Sequence, residues 1–151
     1  MRSIAFSQEV KTVDQLDLNR YLGTWHEVAR FPARFQRGCK DAKAVYKKIG
    51  AGKISVVNSC TRNGEKSVAE GNAVVTGTGR LGVRFSVFQP FRAPYWVLWI
   101  DKGYQTAVVG DPSRKYGWIL SRIPDRDRSG LTEAINAFEK NGYDTSKLIW
   151  N

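Results

Sequence analysis

Cys39-Lys40-Asp41-Ala42-Lys43-Ala44-Val45-Tyr46-Lys47-Lys48-Ile49, then Gly50-Ala51-Gly52, then Lys53-Ile54-Ser55-Val56-Val57-Asn58-Ser59-Cys60-Thr61 is the stretch that sets the architecture. Two runs that suit a pleated strand flank a glycine-bounded turn, and those glycines allow the positive φ of a tight hairpin. Side chains alternate across a strand, so Ala42, Ala44 and Tyr46 oppose Lys43, Val45 and Lys47. Reading onward, Arg62-Asn63-Gly64 turns the chain into Lys66 to Thr76, and Gly77-Thr78-Gly79 turns it again into Leu81 to Phe88. Reading backward, Gly23 to Arg30 is a further strand. Gln89-Pro90-Phe91-Arg92-Ala93-Pro94 interrupts the series, since proline cannot donate to a ladder. Tyr95 to Asp101, Gln105 to Gly110 and Tyr116 to Arg122 complete it.

Eight short strands with turn signals about every ten residues indicate an all-β sandwich or barrel. No helical pattern between them is long enough for a parallel crossover. An eight-stranded antiparallel up-and-down barrel fits best, because closure removes exposed edges. After the strands, Leu131, Ala134, Ile135 and Phe138 form one apolar stripe at spacings of three and four. A helix is expected over 129–142, capped by Ser129 or Thr132, ended by Gly142 and packed on the outside of the barrel.

The chain of 151 residues has room for one domain, 1–151. Its apolar runs all fall short of the ~18 residues of a membrane span. Lys and Arg number 24 against 14 Asp and Glu, a net charge of +10. Such a surface suits an anionic partner, whether membrane leaflet, acidic ligand or nucleic acid, although solubility alone also accounts for it. The opening Met1-Arg2-Ser3-Ile4-Ala5-Phe6 is too short for a signal peptide, so either the protein is cytosolic or an exporting segment precedes it. Cys39 begins one strand of the hairpin and Cys60 ends the other, which places them roughly opposite. A disulfide within the ~7 Å Cα limit is expected, and with it maturation in an oxidising compartment. Two buried free thiols are the alternative. Two cysteines and the single His26 give no metal set.

Alternation places Trp25, Glu27 and Ala29 on one face of the first strand, opposite His26, Val28 and Arg30. Leu81, Val83, Phe85 and Val87 share a face, as do Tyr116, Trp118, Leu120 and Arg122. Tyr95 to Ile100 is apolar on both faces. Small residues inside such a barrel leave volume, and aromatic walls suit an apolar ligand. The same residues also suit a filled core. Glu27, set among apolar neighbours, is expected to have its charged form disfavoured and to meet a ligand head group or bound water.

Asn19-Arg20-Tyr21-Leu22-Gly23-Thr24-Trp25-His26-Glu27-Val28-Ala29-Arg30 resembles the opening strand of lipocalins, built around Gly-X-Trp. Pro112-Ser113-Arg114-Lys115-Tyr116-Gly117-Trp118-Ile119-Leu120-Ser121-Arg122 resembles the last barrel strand of their bacterial, plant and apolipoprotein D-like branch. Gly142-Tyr143-Asp144-Thr145-Ser146-Lys147-Leu148-Ile149-Trp150 is similar to the tail of that branch. The resemblance implies a lipocalin barrel over 18–122, an N-terminal extension over 1–17 and a short terminal strand over 145–150. It implies that Arg122 stacks on Trp25 at the barrel base, with Gly23 as part of that structural motif. It also implies that Tyr46 and Trp118 line a calyx. Combined with the strand faces, the expected ligand set is Glu27, Ala29, Ala44, Tyr46, Phe85, Val87, Tyr95, Val97 and Trp118. Fatty acid, lysophospholipid or another small hydrophobic molecule is the implied cargo. The periplasm or outer membrane is the implied location. Lys102-Gly103-Tyr104, Ala107 and His26 stand where the branch usually carries other residues.

No base stands beside either cysteine, His26 is expected outward, and no nucleophile triad or phosphate loop is present, so no catalytic residues and no cofactor are assigned. A lipocalin-fold enzyme acting on a hydrophobic substrate, or a basic surface-binding protein with a filled barrel, is the alternative. The dispersed Lys and Arg argue against specific nucleic-acid binding. Loose electrostatic attachment to anionic membrane is expected. Phe88 and the two-faced sixth strand allow either a monomer or a homodimer.

Overall fold

The computed structural model describes residues 9–86 and 89–151. β1 (Gly23–Arg30), β2 (Lys40–Gly50), β3 (Lys53–Arg62), β4 (Glu65–Gly77), β5 (Arg80–Arg84), β6 (Ala93–Ile100), β7 (Thr106–Gly110) and β8 (Gly117–Ser121) pair antiparallel in chain order. β1 pairs with both β2 and β8, which closes the eight-stranded barrel. β9 (Ile149–Trp150) adds to β1 at Ala29 and Arg30. The loops after β1, β3, β5 and β7 lie at one end, the mouth. The turns after β2, β4 and β6 lie at the other, the floor, where α1 (Leu18–Tyr21) precedes β1.

The expected hairpin forms with Gly50 opposite Lys53 and with Gly52 at a φ of +65°. Cys39 and Cys60 are bonded, their Cα atoms 5.4 Å apart. The helix is shorter than expected: α2 runs Thr132–Lys140, and a 3-10 turn over Thr145–Lys147 leaves only β9 as the terminal strand. Its buried stripe of Ala134, Ala137 and Phe138 meets Phe31, Ile119 and Tyr143 on the outer wall. That approach needs Gly117, where a Cβ would lie 2.7 Å from the Phe138 ring.

Three sequence expectations change. First, the register of β1 against β8 shifts between Glu27 and Ala29. This bulge at Val28 reverses the alternation, a known effect of one extra residue. Ala29 is therefore outside the barrel, in the core under α2, and Arg30 takes its place inside, opposite Trp118. Second, β5 ends at Arg84. The Gln89 side chain accepts from the Phe85 N–H and donates to the Val83 and Phe91 carbonyls, taking over bonds a longer ladder would use. Phe85 thus lies beyond the strand with 40% of its surface exposed. Third, β6 begins at Ala93, with Pro94 opposite Gly82. Val87, expected in the ligand set, and Phe88 lie outside the described residues.

The face of β6 is settled by its neighbours. Tyr95 and Val97 belong to the interior with Leu81 and Val109, whereas Trp96, Leu98 and Trp99 face the outer core.

Candidate ligand-binding calyx

The floor is built from α1. Its helical turn presents Tyr21 to the interior, four residues before Trp25, whose indole N–H donates to the Tyr21 carbonyl at 2.8 Å. The Tyr21 hydroxyl meets that of Tyr95 at 2.5 Å, and Tyr95 meets Tyr46 at 2.8 Å. Tyr21 stacks on Tyr46 at 5.7 Å between ring centroids. Burial pushes Tyr46 up to about 12 and holds Tyr21 and Tyr95 well above the ordinary phenol value. These three hydroxyls satisfy one another inside an apolar shell, so their burial carries no unpaired group. Val13 and Leu16 pack against the same cluster, and Val13 donates its N–H to the Val97 carbonyl.

Beneath this floor the Arg122 guanidinium lies 3.8 Å from the Trp25 ring centroid. It also donates to the carbonyls of Thr24, Arg20 and Tyr104. Such stacking contributes about 2 kcal/mol where water is excluded. Gly23 has a φ of +103°, and a Cβ there would sit 3.2 Å from Arg122 Nη1, which explains the glycine of the Gly-X-Trp segment.

Above the floor the walls change character. Ala44 lies opposite Asn58, and Asn58 opposite Ala69, so the three share the inward face. One layer lower, Tyr46, Val56 and Gly71 do the same. Ala44 is buried, yet Asn58 and Ala69 are exposed. Solvent therefore enters the barrel at this level, where the side chains are small.

Near the mouth, inside the wall, lies a polar cluster. Arg30 pairs with Glu27 at 3.3 Å, and side-chain exposures of 9% and 4% mark both as buried. Gln36 donates to Glu27 Oε1 at 2.7 Å and accepts from the Trp118 indole N–H at 2.6 Å. Asn151 donates to Glu27 Oε2 at 2.9 Å. Glu27 consequently has polar neighbours, unlike the apolar setting expected for it. Arg30 Nε is buried and has no hydrogen-bond partner among the described residues.

Of the expected ligand set, Glu27, Ala44, Tyr46, Tyr95, Val97 and Trp118 gather in the interior. Ala29 does not, and Phe85, 40% exposed, lays its ring against the inward-facing Gly71, where a Cβ would lie 2.7 Å from it. Sequence reading missed Tyr21, Arg30 and Gln36. The aromatic spacing of Tyr21 before Trp25 was a usable signal, but nothing marked the bulge that turns Arg30 inward. His26 lines a groove of about 440 Å³ with Lys43, Asp41, Arg126 and the Glu27 of the polar cluster.

The model of the family described as Lipocalin-like domain matches residues 16–151. Temperature-induced lipocalin-1 of Arabidopsis thaliana is 37% identical, covering 93% of this chain and 81% of its own. Outer membrane lipoprotein Blc of Escherichia coli K12 is 38% identical over the same shares of the two chains, 93% and 81%. Among solved structures, insecticyanin from the tobacco hornworm Manduca sexta superposes with a TM-score of 0.75 at 29% identity, covering 95% of this chain and 84% of its own.

Proposed function

The chain belongs to the lipocalin family, whose members bind small hydrophobic ligands, and from that premise we propose that it carries a single-chain lipid, a fatty acid or lysophospholipid, within the bacterial envelope. The observation that carries this reading is the graded interior: a sealed aromatic floor, then inward-facing small residues open to solvent, then a buried polar cluster at the mouth. An acyl chain would lie along the inward-facing Ala44, Asn58 and Ala69, above the layer of Tyr46 and Val56. Its oxyanion head would accept from Arg30 Nε, the donor left over by the Glu27 ion pair. The Glu27 carboxylate and the Gln36 carbonyl hold that guanidinium in place. Pockets of this kind combine apolar walls with a few convergent polar groups. Two further facts support the envelope: a disulfide suits an oxidising compartment, and relatives at 37–38% identity are outer membrane lipoproteins.

The test is native mass spectrometry of protein purified from its host, followed by extraction of bound molecules and uptake of a fluorescent fatty acid by the emptied protein. A fatty acid or lysophospholipid near unit stoichiometry is the expected result. Arg30→Met is expected to weaken fatty-acid binding about tenfold, as loss of a hydrogen bond to a charged group implies, and to leave the matching alcohol unaffected. Protein that arrives empty and takes up no probe would show a filled barrel.

A further inference from the structure

The exposed aromatic rings of this protein occupy one place. Among the described residues the only exposed phenyl, tyrosyl or indolyl side chains are Phe35 at 61%, Phe85 at 40% and Phe91 at 83%. All three belong to the loops after β1 and β5, at the mouth. Elsewhere, rings near the surface are covered by guanidinium groups: Arg20 lies over Tyr104, Arg80 over Trp96 and Arg128 over Trp150. At the mouth the pairing is incomplete: Lys115 lies over Tyr116, and Phe35 packs beside that ring, 5.9 Å between centroids, with no cation over its own among the described residues. Phe35 still leaves 61% of its surface exposed, and Phe91 leaves 83%. Beside Phe35, the Arg34 and Arg37 side chains are exposed and make no hydrogen bond or ion pair among the described residues.

Charge sharpens the contrast. Segments 31–39 and 84–92 contain four arginines and no acidic residue. Lys40 and Lys66 are exposed at the same end, each beside an exposed acidic neighbour, Asp41 and Glu65, so the excess positive charge there comes from the loop arginines. The Phe35 loop is also braced from beneath, since Arg62 donates to the Phe35 carbonyl at 2.7 Å and the Cys39–Cys60 bond anchors its end. A braced loop that holds a phenyl ring outward between free cations is matched by one surface chemistry, an apolar layer beneath a sheet of anions. Exposed apolar side chains rimmed by charge mark contact surfaces. Basic and aromatic side chains together suit the boundary between headgroups and acyl chains.

We propose that the mouth of the barrel docks on an anionic phospholipid leaflet, with Phe35 and Phe91 entering between headgroups and Arg34, Arg37 and Lys40 contacting phosphates. The docking is separate from the ligand reading, since it needs the outer rim and not an open calyx.

The experiment uses vesicles of phosphatidylcholine with and without phosphatidylglycerol, cosedimentation to measure binding, and hydrogen exchange to locate it. The full chain is expected to bind the phosphatidylglycerol vesicles and to lose at least tenfold in affinity between low and high salt. Protection from exchange is expected in 31–39 and 84–92. The double variant Phe35→Ser with Phe91→Ser, on loops outside the core, is expected to bind about tenfold more weakly while keeping its circular dichroism and its fatty-acid uptake. Arg34→Gln with Arg37→Gln is expected to flatten the salt dependence. Protection centred on α2 or the floor turns, equal binding to pure phosphatidylcholine, or unchanged binding by the Phe variant would overturn the proposal. So would a doubling of solution mass that the Phe variant abolishes, because the rim would then join two copies of the chain.

Discussion

Three tyrosines at the bottom of the barrel have a chemistry that single-residue changes expose. Tyr21, Tyr46 and Tyr95 hydrogen-bond only through one another's hydroxyls, and burial raises all three, Tyr46 to about 12. A phenol with a folded pKa above its unfolded value near 10 stays protonated in both states below that pH. Above it the unfolded chain ionises first and is favoured. Stability is therefore full below pH 10 and declines as pH rises from 10 toward 12, by about 1.4 kcal/mol per pH unit for each proton released. Urea titrations at stepped pH are expected to show this decline, and the phenolate absorbance of these rings is expected to appear only with unfolding. Phenolate signal from all six tyrosines in protein with native circular dichroism would contradict it. Tyr95→Phe removes the shared hydroxyl and leaves two buried donors to find new partners.

At the scale of elements, what could be read from the sequence was whatever depends on alternation and turn chemistry. The β2–β3 hairpin and its glycine turn followed from spacing, and the Cys39–Cys60 bond was expected from it beside the alternative of two buried thiols. The stacking of Arg122 on Trp25 followed from the lipocalin resemblance. What could not be read was phase. One extra residue at Val28 sends Ala29 under α2 and brings Arg30 inside. A side-chain amide, Gln89, ends β5 early and leaves Phe85 at the mouth. Neither leaves a mark in a hydrophobic pattern, because each depends on how a neighbouring strand or loop is satisfied. The hairpin also supplies the test proper to this scale. The disulfide spans 21 residues, and closing such a loop stabilises by about 3 kcal/mol in the chain-entropy account. Cys39→Ala with Cys60→Ala is expected to lower urea stability by about that amount, with the wild type yielding no alkylated thiol unless reduced.

For the molecule as a whole, charge is unevenly answered. The chain carries +10, yet the described residues contain one ion pair, Arg30 with Glu27, and that pair is buried. Most surface cations thus lie without a close ion-pair partner in a chain whose excess charge is positive. Adding sodium chloride from low to physiological strength is expected to raise the unfolding free energy, on the order of 1 kcal/mol. Thermal melts across a salt series would check it, and a flat or falling midpoint would show the cations to be too dispersed to interact. The same salt that steadies the fold would loosen the barrel mouth from an anionic surface.

The interlocked hydroxyls of Tyr21, Tyr95 and Tyr46 have a last consequence, which concerns length. Under the proposed binding mode, with the head group held at Arg30, a pocket with so rigid a bottom would work as a ruler. Each methylene added to a guest deepens its seat and strengthens it by about 0.8 kcal/mol, until the tail strikes the tyrosines. Beyond that mark the gain stops, since further carbons must buckle or lift the head away from Arg30. The distance between these two fixtures, more than the chemistry of the walls, would then decide which members of a homologous series the protein accepts.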